Sequence, residues 1–309
     1  MYRFLEILHA ADLPPGLVNH LNGRGPVTGA SLVEHQGVDV VGFVGGSKTG
    51  AAIMAAAANG VRKVGLELGG KSANMVMASA DLEQAIDGSL LAILTGNGQQ
   101  CLAGSRILVQ ESIADEFTAR VVKRLSQVRV GDPFDAQTEV GAMAFREHFE
   151  KVMSYVDTAT AEGATLLTGG TAAPGFDRGF FFQPTAVEVD DNRLRVCQEE
   201  IFGPFVTIQR VPDADAAIRI ANDSAFGLVS YIWSNDLLEV TQMSGAIKAG
   251  TVWVNTPLAR DLRAPFGGYK QSGVGRDGLE SSVELLTEEK TVMFPTSRLD
   301  LPKLGLGDG

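Results

Sequence analysis

The run Asp39-Val40-Val41-Gly42-Phe43-Val44 leads straight into Gly45-Gly46-Ser47-Lys48-Thr49-Gly50 and then into an alanine-rich segment that reads as a helix to position 59. A strand, a glycine loop and a helix start in that order offer backbone N–H groups to a phosphate. A second strand follows at 61–68. Upstream, 3–12 reads as an amphipathic helix stopped by Pro14-Pro15-Gly16, 17–21 as a short strand and 27–35 as a helix. Downstream, a helix is expected over 81–95 with Asp81 as its N-cap, followed by a strand at 107–110 and helices at 113–128 and 144–162. Strands near 164–168, 180–189, 205–211, 228–233 and 250–255 then alternate with helices at 213–222 and 235–247. The stretch 265–273 is too rich in glycine for a regular element, and 290–294 reads as a last strand. This alternation predicts an α/β chain with a parallel, helix-covered sheet.

Composition narrows the function. The chain has 309 residues, is 45% hydrophobic and 20% charged, and can bury a sizeable core. A net charge of −11 argues against nucleic acid and anionic membrane surfaces as partners. The first ten residues carry Arg3, Glu6 and His9, which does not suit a secretory signal. Cys101 and Cys197 are too far apart for a metal-ligand pair, and His9, His20, His35 and His148 form no metal motif. The expected compartment is reducing and cytoplasmic.

Cys101 lies in Thr95-Gly96-Asn97-Gly98-Gln99-Gln100-Cys101-Leu102-Ala103-Gly104-Ser105-Arg106, where glycines allow a tight turn and close substrate approach. A free cysteine alone reads equally as a small buried hydrophobe. Glu67 falls in Val64-Gly65-Leu66-Glu67-Leu68-Gly69-Gly70-Lys71, on the strand face opposite Val64, Leu66 and Leu68. It is either a solvated carboxylate or, with the glycine pair opening the strand end, a ligand-facing one. Gly65 to Ser72 also satisfies the P-loop expression. A phosphate cradle should lead into a helix, however. Asn74-Met75-Val76-Met77 reads as a strand, and Glu67 would place a negative charge in the nest. Gln198-Glu199-Glu200-Ile201-Phe202-Gly203-Pro204 reads, by itself, as a solvated acidic pair beside a packed aromatic.

Taken in order, Glu-Leu-Gly-Gly-Lys at 67–71, Gly-Gln-Gln-Cys at 98–101, Glu-Glu-Ile-Phe-Gly-Pro at 199–204 and Pro-Phe-Gly-Gly-Tyr-Lys-Gln-Ser-Gly at 265–273 resemble the aldehyde dehydrogenase superfamily over essentially the whole chain. The resemblance implies that Cys101, as thiolate, attacks the aldehyde carbon, with its own backbone N–H stabilising the oxyanion. It implies that Glu67 activates water to hydrolyse the resulting thioester. Water, rather than coenzyme A, is the expected acceptor because Glu67 is present. Glu200 would hold the nicotinamide ribose of NAD (or NADP), with Phe202 and Leu68 at the same end of the cofactor. Gly45, Ser47 and Gly50 match the coenzyme-phosphate segment, although Gly46 stands where the family usually has a serine. Cys197 matches no catalytic position and is read as a buried thiol.

The same resemblance divides the chain. Residues 1–70 would be the C-terminal half of an NAD(P)-binding domain, 71–284 the catalytic domain and 285–309 an oligomerisation strand and tail. Half a doubly wound sheet is expected to expose a strand edge and apolar faces. The sequence therefore reads as N-terminally truncated, lacking an upstream oxyanion-hole asparagine and the residues that choose NAD or NADP. Such a chain would be a homodimer or homotetramer once the upstream part is supplied. Its alternative would be a non-catalytic fragment acting through subunit association. Finally, Thr256-Pro257-Leu258-Ala259-Arg260-Asp261-Leu262-Arg263 looks like the tunnel segment of hydroxymuconic semialdehyde dehydrogenases. That likeness makes Arg260 a candidate for gripping a substrate carboxylate through its two-pronged donor edge. A plain surface arginine paired with Asp261 is the competing reading.

Overall fold

The computed structural model describes residues 2–305. Among them the strands, in chain order, are β1 (Val40–Val44), β2 (Lys63–Glu67), β3 (Ala73–Val76), β4 (Arg106–Gln110), β5 (Thr165–Thr168), β6 (Thr185–Glu188), β7 (Phe205–Val211), β8 (Phe226–Gly227), β9 (Val229–Trp233), β10 (Thr251–Val254), β11 (Tyr269–Lys270) and β12 (Gly273–Val274). They form a seven-stranded sheet in the order β10-β9-β3-β4-β7-β6-β5 and a three-stranded sheet in the order β1-β2-β12, with β8 and β11 paired separately. The large sheet is parallel except at β5–β6. The expected α/β class with a parallel sheet is thus what forms.

Helix starts follow the capping logic read from the sequence. Asp81 accepts from the Gln84 N–H at 3.2 Å before helix Leu82–Leu94. Asp213 and Asp236 do the same for helices Ala214–Asn222 and Leu237–Ala246. The central strands are covered by the helices between them, so Val76, Ile107, Val109, Phe117 and Ile208 all fall at 1% exposure or less. No helix among the described residues is long and apolar enough to cross a membrane.

Arg106 is fully buried at the start of β4 and keeps every arm occupied. It donates to the carbonyls of Lys71, Ile220 and Ala221 and to Asn192 Oδ1, all within 2.9–3.0 Å. One side chain thereby ties the segment after β2 to the loop at Asn192 and to the last turn of helix Ala214–Asn222.

Several expectations change. Residues 17–21 form no strand, and Leu17, Val18 and Leu21 are exposed, because an extended run is a strand only when a neighbour pairs with it. The glycine-rich stretch 265–273 is better ordered than a loop. Gly273 pairs antiparallel with Glu67, and Ser272 Oγ donates to the Gly69 carbonyl at 2.6 Å while accepting from the Gly227 N–H. Helix Leu279–Leu286, not expected from the sequence, runs across the 284/285 division. Residues 290–294 pair with no strand in this single chain, since an edge strand needs a partner alongside. Positions 306–309 of the expected tail lie outside the described residues. β1 is an edge of the three-stranded sheet, and Val44 at its end is 73% exposed.

Candidate active site

Segments from along the whole chain line one cavity of about 860 Å³, and four of them carry most of its chemistry. The first carries Cys101. After helix Leu82–Leu94 the chain turns through Gly96, Asn97 and Gly98, which all take left-handed φ (62°, 58° and 68°). Asparagine is among the few side chains that visit this region readily. Asn97 then locks the turn by accepting from the Gly141 N–H and donating to the Ala142 carbonyl. A Cβ at Gly98 would lie 2.2 Å from the Gly203 carbonyl oxygen, and one at Gly70 would lie 2.4 Å from the Cys101 carbonyl oxygen. Glycine is required at both by close backbone approach.

Glu67 ends β2 and faces the cavity, with its carbonyl accepting from the Gly45 N–H at 3.0 Å. The next residue, Leu68, lines the same wall and donates its N–H to the Ser272 carbonyl. Burial pushes the Glu67 carboxyl up to about 7, helped by Asp277 and opposed by Arg276 and Arg260. Its Oε2 has no hydrogen-bond partner among the described residues, which further disfavours the anion. Burial also raises the Cys101 thiol, as do Glu200 and Glu67, so the resting group is the thiol rather than the thiolate.

Glu200 and Phe202 form the third segment. Glu200 Oε1 accepts from the Gly70 N–H at 2.9 Å, which pulls against the rise that burial gives its carboxyl. Phe202 has left-handed backbone (φ 63°), and His148 Nε2 meets its carbonyl at 2.5 Å. Lys151, one turn along from His148, donates to the Glu200 carbonyl. Strained backbone of this kind persists only where the surroundings hold it.

The fourth segment, 259–266, brings Arg260. Its guanidinium lies 5.0 Å over the Phe266 ring. Asp261 pairs with Arg263 instead, at 2.7 and 2.9 Å, so the competing pairing with Arg260 does not form. No carboxylate among the described residues takes Arg260 as an ion-pair partner.

Thus Cys101, Glu67, Leu68, Glu200, Phe202, Arg260 and Gly45 converge on one cavity. Two expected residues stand outside its wall. Ser47 donates its hydroxyl to the Gln271 carbonyl at 2.9 Å, because the loop before β12 packs over the start of its helix. Gly50 faces Leu68, whose methyl would sit 2.5 Å from a Cβ there. Asp277 and Trp253 also line the cavity and were not singled out in the sequence. The run Gly275-Arg276-Asp277-Gly278 after the glycine-rich stretch is the signal that could have pointed to Asp277.

Residues 1–292 match the aldehyde dehydrogenase family. The chain belongs to that family. Among its relatives, the betaine aldehyde dehydrogenase of Bacillus subtilis (strain 168) is 40% identical over 292 residues, covering 94% of this chain and 60% of the relative. The 5-carboxymethyl-2-hydroxymuconate semialdehyde dehydrogenase of Escherichia coli is 44% identical over 281 residues, covering 89% and 59%. The HpcC structure from Thermus thermophilus superposes with a TM-score of 0.95 at 39% identity, over 98% of this chain and 60% of that one. A Staphylococcus aureus betaine aldehyde dehydrogenase solved with NAD+ gives 0.89 at 41% identity, over 91% and 56%. This aldehyde dehydrogenase family chain therefore spans about 60% of the length of the relatives it matches.

Proposed function

We propose that this chain carries the chemistry of an NAD(P)-dependent aldehyde dehydrogenase that oxidises a carboxylate-bearing semialdehyde and releases the acid to water. The observation that carries the reading is one cavity wall holding a thiol, a carboxyl with a pKa near neutrality and a guanidinium without an anion. Cys101 gives up its proton to solvent, and the thiolate adds to the aldehyde carbon. The Cys101 backbone N–H faces the developing oxyanion. The thiohemiacetal is the hydride donor, and NAD(P)+ supplies the acceptor when bound. Glu67 removes a proton from the water that cleaves the thioester and returns it to the departing sulfur, regenerating the Cys101 thiol. Arg260 holds the far carboxylate, which suits its planar donor fork.

The residues present fit a dinucleotide. Helix Ser47–Ala58 starts beside Gly45 and Gly46, has no acid in its first turn, and its cap makes no side-chain bond, which leaves N–H groups for a phosphate. Glu200, oriented by Gly70, would take ribose hydroxyls, with Phe202 and Leu68 beside it. Ser47 and Gly50 would serve by shaping the start of this helix.

The test needs no cofactor. In Glu67→Gln, where release is slow, para-nitrophenyl acetate should place an acetyl group on the peptide containing Cys101 and leave Cys197, which is 1% exposed, unmodified. Acetylation of neither cysteine, or of Cys197 in preference, would overturn the assignment.

Subunit association is a second reading, favoured by the exposed Met293 and Phe294 and by Leu279, Val283 and Leu286 on the last helix. A homo-oligomer, dimer or tetramer, should then appear in light scattering after gel filtration. A mass of 32.7 kDa at all concentrations would count against it.

A further inference from the structure

Strands β9 and β10 run parallel with Tyr231 and Trp253 as register partners. Their rings lie 5.1 Å apart at a 30° tilt, and both are buried. Each ring sends its one polar atom to a different edge of the cavity. The Tyr231 hydroxyl donates to the carbonyl of Leu102, next to the nucleophile, at 2.7 Å. The Trp253 indole N–H donates to the carbonyl of Ala259, next to Arg260, also at 2.7 Å.

The second bond matters more because of what surrounds it. The segment from Asn255 to Arg260 contains two non-glycine residues with left-handed backbone, Asn255 (φ 50°) and Leu258 (φ 57°). Among the described residues, 256–260 make no other hydrogen bond, and Arg260 adds only its stacking on Phe266. Half-buried Leu258 packs on the cluster that holds Tyr231 and Trp253, so the indole N–H is the loop's one polar tie to this frame and fixes where Ala259, and with it Arg260, stands.

We propose that Trp253 is a positioning residue whose indole N–H sets the reach of Arg260 over the cavity, and thereby the preference for a carboxylate-bearing substrate over a neutral one. The proposal rests on the reading of Arg260 as the carboxylate anchor. The ring pair places the anchor loop and the cysteine loop on one rigid aromatic step, so the distance between thiol and guanidinium is fixed from below.

Two activated esters of matched length test it, para-nitrophenyl hydrogen glutarate (anionic) and para-nitrophenyl pentanoate (neutral). With either, Cys101 Sγ displaces para-nitrophenolate and forms a thioester, so no cofactor is required. Trp253→Phe keeps an aromatic ring and removes the N–H. It should lower the anionic-to-neutral ratio of acylation rates by about five- to tenfold, the size expected for one neutral hydrogen bond. Arg260→Gln should lower the same ratio further. A ratio unchanged by Trp253→Phe but lowered by Arg260→Gln overturns the proposal alone. A ratio that neither substitution moves overturns the carboxylate reading, and the proposal with it. If Trp253→Phe does not fold, benzothienylalanine at position 253 keeps the ring shape without the N–H and permits the same comparison.

Discussion

Glu67→Gln should leave Cys101 able to accept an acyl group while slowing its release by about a hundred- to ten-thousandfold, the span usual for removing a general base. Acyl-enzyme would then accumulate and be visible by intact mass. In the parent, thioester hydrolysis should rise with pH through about 7, where the buried carboxyl loses its proton, and level off above it. The glutamine variant should lose that inflection. Hydrolysis by the variant at the parent rate, with the same inflection, would remove Glu67 from the mechanism. Stability gives an independent reading of the same group. The Glu67 pKa is raised in the folded chain, from 4.5 to about 7, so between these values the folded state holds a proton that the unfolded state has released. Folding therefore loses stability as pH rises across that window, by on the order of 3 kcal/mol in full. Glu67→Gln escapes the loss. Its advantage over the parent in urea midpoint should be larger at pH 8 than at pH 5. An equal offset at both would mean that burial does not raise this carboxyl.

Arg106→Met should destabilise the fold by about 3 to 5 kcal/mol, because it strands buried acceptors that nothing else can reach. The carbonyls of Lys71 and Ala221 and Asn192 Oδ1 depend on this guanidinium, while the Ile220 carbonyl keeps the Asp223 N–H as a second donor. Methionine fills the stem's volume, so the loss reports the polar atoms rather than a cavity. Because Lys71 follows the glycine pair behind Glu67, the folded variant should also acylate Cys101 more slowly. A urea midpoint within about 1 kcal/mol of the parent would show that water replaces the guanidinium.

Much of this was legible in the sequence where chemistry is local. Gly96 and Gly98 announce a tight turn before Cys101, and the backbone there is left-handed through Gly96, Asn97 and Gly98. Glu67 before Gly69-Gly70 announces an acid at an open strand end. Asp81 caps the helix it precedes. What the sequence hid was partnership at long range. The run 17–21 has strand composition but no neighbour, and 265–273 has loop composition but gains order from β2 and β8. Resemblance favours Arg260, but its competing pairing with Asp261 is settled only when the backbone turns Arg263 onto that carboxylate. Arg106, the most heavily bonded buried cation, sits in a strand whose sequence gives no hint that four acceptors from distant segments converge on it. Ser47 is read as part of the coenzyme-phosphate segment from local sequence alone, and its hydroxyl's acceptor, Gln271, is too remote in sequence to be foreseen.

The bare backbone contacts of Gly70 with Cys101 and of Gly98 with Gly203 have a consequence for redesign. Where main chain rests on main chain, no side chain is available to trim, so the spacing of nucleophile and acid cannot be adjusted in small increments. Libraries varied at positions 70 and 98 should return mostly inactive clones. Graded changes in selectivity are open only along the rim from Ala259 to Leu262, where exposed side chains can be exchanged without moving the frame.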